Sequence, residues 1–161
     1  MIETLIAWLD STALHSWVIS KTWLWPSLEI IHFVGLSFLM GALLIIDLGL
    51  IGVIKNLAPK ATHMLLKLVF VGFALNLITG ILFIFGDPGR YFINIGFQIK
   101  MALMFFAAVN AFWYMRRIAP KIETVEVFQP YTETKIVGAL SLILWFGVLM
   151  AGRLIPYVGT G

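Results

Sequence analysis

The chain has 161 residues, of which 61% are apolar and 12% charged, with no cysteine and a mean hydropathy of +0.99. Soluble domains are about half apolar and about a quarter charged, so this composition excludes disorder, a disulfide framework, a thiol nucleophile and a cysteine metal cluster, and argues against a water-soluble globule. The net charge of +3 comes from 11 basic and 8 acidic residues scattered along the chain, and without a basic stripe nucleic acid is not an expected partner.

The first segment, 2–22, carries Glu3 and Asp10 ahead of any lysine, unlike the basic start of a secretory signal. Asp10, Ser11 and Thr12 break its apolar run, while spanning a bilayer takes about 20 mainly apolar residues. Leu5, Ile6, Leu9, Ala13, Trp17 and Ser20 fall at helical spacing. The segment is expected to be a short amphipathic interfacial helix, with Trp8, Trp17, Trp23 and Trp25 at headgroup depth.

Four spans follow in the sequence. The first, 26–54, opens at Pro26, which suits a first helical turn. The second, 64–85, lies between Pro59 and the turn Gly86-Asp87-Pro88-Gly89. The third, 92–115, is expected to stop at Arg116-Arg117 and Pro120, and the fourth, 135–155, ends before Pro156. No segment alternates strictly in twos, which argues against a β-barrel. The expected fold is all-α: one domain over 1–161, an integral membrane antiparallel four-helix bundle preceded by the interfacial helix. Lys55, Lys60, Lys67, Arg116, Arg117, Lys121 and Lys135 fall on one side of this topology, and Lys21, Arg90 and Arg153 on the other. Positive charge favours the cytoplasm, so a bacterial inner membrane with both termini periplasmic is expected.

Small residues mark helix contacts, because lipid provides little hydrophobic drive between spans. Gly35, Ala42 and Gly49 recur every seven residues, Gly72, Asn76 and Gly80 every four, and Ala107 with Ala111 likewise. Asn76 and Asn110 are expected to place their amides on neighbouring helices, each bond contributing about 1 kcal/mol.

The chemistry-bearing residues lie on two levels. Glu29 and His32 are three apart and share a helix face. Asp47 faces the same way but lies about 27 Å further along, too far to join them in one site. Lys100 is about two turns into the third span, at the level of Glu29 and His32. The expectation is a Glu29–Lys100 ion pair with His32 alongside, forming an outer-side polar site for a small ligand or metal ion, with Asp47 tied to Lys55, Lys67, Asn110 or Arg116 at the other level. His32 and Glu29 are the candidate transition-metal ligands, although a nearby Lys100 opposes a cation. A haem b held by His15 and His32 is the alternative, since His63 lies at the opposite end. No nucleophile elbow, His-Glu-x-x-His motif or phosphate loop is present, so a non-enzymatic role is favoured. In the first reading the protein is expected to be a homo-oligomer in membrane lipid; a third reading is a purely structural subunit that assembles with its own copies or with another membrane protein.

Trp25-Pro26-Ser27-Leu28-Glu29-Ile30-Ile31-His32-Phe33-Val34-Gly35, then Gly41 and Ile46-Asp47-Leu48-Gly49-Leu50-Ile51-Gly52, resembles a family of small, largely uncharacterised bacterial four-span inner-membrane proteins. The resemblance continues through Thr79-Gly80, Asn94 to Lys100 and Asn110, and covers about 22–115 best. More distantly, the chain is similar to the membrane domain of copper-resistance D proteins. The resemblance implies four spans and singles out Glu29, His32, Asp47 and Lys100. It implies no reaction.

Overall fold

A computed structural model describes residues 1–55, 58–125 and 128–158, and every regular element in them is helical. In chain order these are α1 (Ile2–Asp10), α2 (Ala13–Ser20), α3 (Leu24–Ile51), α4 (Pro59–Gly86), α5 (Pro88–Phe92), α6 (Ile95–Trp113), a π-helical turn (Tyr114–Ile118), α7 (Ala119–Glu123) and α8 (Thr132–Leu154). Four helical stretches are long and apolar enough to cross a membrane: Leu24–Ile51, Pro59–Gly86, Ile95–Ile122 and Thr132–Leu154.

The N-terminal segment is two helices rather than one. The Ser11 hydroxyl turns back to the Trp8 carbonyl at 2.7 Å, and Thr12 caps α2 by accepting from the His15 amide at 3.1 Å. Short polar side chains compete for backbone partners in this way and stop a helix. α1 packs on α5, and α2 packs on α4 and α3. Gly52, at φ +97°, ends α3 in a left-handed cap that a side chain would strain.

The third long helix passes the expected stop at Arg116-Arg117. Proline lacks an amide proton and its ring crowds the carbonyl four residues back. The π-helical turn at Tyr114–Ile118 widens the backbone just before Pro120, which then sits in the first turn of α7. Arg116 and Arg117 are exposed and lie over the rings of Phe112 and Trp113, at 4.8 and 5.4 Å.

α3 sits between α4 and α8, and α6 joins through α8. α4 and α6 follow one another closely in sequence but pack little on each other. A β-carbon at Gly72 would lie 2.5 Å from the Gly35 carbonyl oxygen, and one at Gly138 would lie 2.9 Å from that of Asp47. α3 therefore approaches both partners at backbone contact. Ile46 and Leu50 of α3 share a core with Tyr114, Ile118, Ile122 and Val137. Asn94 caps α6 through the Gly96 and Phe97 amides and donates to the carbonyls of Ile155 and Val158, tying α6 to the end of α8.

Candidate functional site: two polar layers among apolar helices

His32 is half-buried on the face of α3 that meets α4. Its Nδ1 lies 2.7 Å from Thr79 Oγ1, and that hydroxyl lies 2.7 Å from the Leu75 carbonyl of its own helix. The single hydroxyl proton goes to Leu75, so Thr79 accepts from His32 Nδ1–H. In the neutral ring Nε2 is then left as an acceptor. The imidazole also stands edge-on to Phe83, with centroids 5.6 Å apart. Sequence reasoning gave Thr79 no such role. Its available signal was a hydroxyl placed one helical turn from Asn76 in an apolar run.

Lys100 enters this level from α6. Its Nζ lies 3.5 Å from where a β-carbon of Gly152 would stand, so the glycine makes room for the side chain against α8. The ammonium is within electrostatic reach of His32. Lys100 thus stands within electrostatic reach of His32, and Glu29 does not join them. Glu29 is exposed, and its Oε1 accepts from the Trp25 indole at 3.2 Å. The ion pairs among the described residues are His15–Asp10 and Arg90–Asp87, so the expected Glu29–Lys100 pair is not made. The reason is helix rotation. The buried stripe of α3 runs through Leu28, Gly35, Leu39, Ala42 and Ile46, and Glu29 lies about 100° off it, on a flank that nothing covers at that height. The charge of Glu29 is felt instead at Tyr91, next to α6. Burial pushes that phenol up to about 12; Arg90 opposes the shift, while Asp87 and Glu29 add to it.

Asp47 occupies the second level. It lies off the stripe in the same direction as Glu29, yet is only 3% exposed, because α8 covers this flank with Gly138 and Ser141. The Ser141 hydroxyl bonds its carboxyl, and Oδ2 has no hydrogen-bond partner. None of the expected ties to Lys55, Lys67, Asn110 or Arg116 appears among the described ion pairs and hydrogen bonds. Asn110 instead donates to the Val137 carbonyl of α8 at 3.1 Å, and Thr134 to the Leu50 carbonyl of α3 at 3.1 Å. Asn76 turns back to the Gly72 carbonyl of its own helix at 2.9 Å rather than bridging to another.

Metal and haem can be tested against these residues. Among the described residues no three His, Asp or Glu side chains gather as metal ligands, and His32 has a lysine rather than Glu29 beside it. That donor set does not fit a transition metal. His15 docks by Nδ1 on the Phe85 carbonyl at 2.8 Å, and His32 docks on Thr79. Val18, Leu28 and Phe83 form one buried cluster with Trp25 around these two docking points. A macrocycle joining the two rings would have to displace that packing, so the haem reading does not fit either. No known protein family, curated protein or solved structure matches the chain.

Proposed function

We propose that the chain is a multi-pass integral protein of a bacterial inner membrane, and that it binds a small hydroxylated oxyanion beside Lys100 and His32. Four apolar helices of sufficient length support the first part. So do the exposed Phe70 and Ile78 of α4 and Phe105, Phe106 and Phe112 of α6, which water penalises and lipid accepts. Trp25 meets Phe83, His32 meets Thr79, and Gly35 meets Gly72, a register that supports antiparallel crossing. The distribution of Lys and Arg supports termini on the outer side. The motif at 25–52 makes the chain a proposed relative of the four-span family it resembles, and its broad apolar faces suit self-association.

One observation carries the second part. Lys100 is a half-buried ammonium inside a long apolar helix, with no carboxylate at ion-pair distance among the described residues. An ionisable group at that depth is costly, and such groups mark binding sites and pathways. An anion supplies the missing charge. A hydroxyl on the same ligand would donate to His32 Nε2, which Thr79 leaves as an acceptor. The site binds and orients its ligand.

The test is heat unfolding of the full chain in lipid nanodiscs with glycolate, acetate or chloride at equal ionic strength. Glycolate is expected to raise the midpoint most and chloride least. Lys100→Met should abolish the differences, and Lys100→Arg should keep them. Identical midpoints in all three salts would remove the anion site.

A further inference from the structure

A cleft of about 400 Å³ opens where the α2–α3 connection meets the α4–α5 turn. This volume lies within the range of roughly 300–1,000 Å³ typical of small-molecule sites. Its wall is built and apolar. Val18 is buried, and the Trp25 ring packs on Phe83 with centroids 5.1 Å apart. Gly86 makes this wall possible, since a β-carbon there would stand 2.7 Å from the Trp25 ring and 3.0 Å from Val18. The rim is charged and exposed, with Lys21 on one side and Arg90 on the other. Asp87 lies 3.5 Å from the Arg90 guanidinium and spends its other oxygen on the Arg90 amide at 3.1 Å. Lys21 makes no ion pair among the described residues. Among the lining residues two cations face one carboxylate, an excess of one positive charge, with Glu29 outside the lining and bonded to the Trp25 indole. Ile19, exposed at its edge, continues the apolar wall outward.

We propose that this cleft holds the headgroup phosphodiester of an anionic phospholipid. The proposal rests on the membrane reading, which places Trp25 and the two cations at headgroup depth. A phosphodiester carries one negative charge, matching the excess. Arg90 offers a planar fork suited to phosphate oxygens and Lys21 a flexible point charge. The indole and Ile19 face the glycerol and the start of an acyl chain, as interfacial aromatics do. A zwitterionic headgroup fits less well, because its ammonium would compete with Lys21 and Arg90.

The experiment is native mass spectrometry of the full chain released from detergent micelles, offered phosphatidylglycerol, phosphatidylethanolamine and soluble glycerol phosphate. Phosphatidylglycerol should be retained in preference to the other two. Lys21→Gln and Arg90→Gln should each weaken its retention about fivefold, the scale of one basic residue at a membrane surface. Asp87→Asn keeps the capping oxygen but removes the competing charge, and should strengthen retention. Equal retention of the two lipids, a preference for phosphatidylethanolamine, displacement by glycerol phosphate at equal concentration, or no change in the variants would each overturn the proposal. Failure of the membrane reading itself would show differently, as a chain that stays folded without detergent.

Discussion

Asp47 shows how much a single side chain can cost when helices rather than water surround it. Its carboxyl keeps the Ser141 bond while Oδ2 is buried without a partner. Removing one member of a buried pair leaves the other unsatisfied, whereas replacing both with apolar groups is nearly neutral. Ser141→Ala should therefore destabilise the fold by about 1–3 kcal/mol, while Asp47→Leu with Ser141→Ala should cost less than the sum of the two single changes. Unfolding in mixed micelles gives the double-mutant cycle, and strict additivity would show that the two groups do not interact. At this scale the sequence identified the charged residues but not their partners. Glu29, His32, Asp47 and Lys100 stand out in apolar runs, and a polar residue there needs an explanation. Whether Glu29 or Asp47 is buried depends on where α8 lies along α3, and residue spacing within α3 carries no information about that.

Helix contacts repeat this lesson for glycine. Gly35 and Gly72 fall at packing intervals in the sequence, and they are the α3–α4 crossing point. Gly80 shares the spacing of Gly72, but a β-carbon there meets nothing within 4 Å. Ala111 shares the spacing of Ala107 and is exposed, whereas Ala107 is buried. Periodicity picks out a face, and only the neighbouring helix decides which length of that face is covered. Gly138, at the α3–α8 contact, has no partner at a recurring interval and was not singled out. The contrast yields a paired prediction. Gly72→Ala forces two backbones apart and should cost about 1–3 kcal/mol, the range for overpacking. Gly80→Ala should be neutral or stabilise by up to about 1 kcal/mol, because alanine is the better helix former. Thermal midpoints of the two variants in the same lipid decide it, and equal losses would mean that the crossing is not at Gly72. The π-helical turn was equally illegible, since Pro120 after two arginines reads as a stop unless a widened backbone absorbs the ring.

The whole molecule turns on which solvent meets its outer faces. Composition and four long apolar runs made the all-helical architecture readable, because no other regular structure satisfies every backbone group within a single segment in lipid. The order of packing, with α3 central and α4 and α6 held apart, was not readable, because short connections suggest that consecutive helices are neighbours. Orientation is a separate property set by lysine and arginine near the span ends, and the absence of native cysteine makes it directly measurable. Ser16 is exposed on α2 and Lys60 is exposed at the start of α4. Single cysteines at these positions should behave oppositely in intact cells. Ser16→Cys should react with an impermeant maleimide applied from outside, and Lys60→Cys should react only after the membrane is opened. Reversed labelling would invert the topology while leaving four crossings intact. Labelling of both sites from outside would end the four-crossing reading, because the two positions are separated by the whole length of α3.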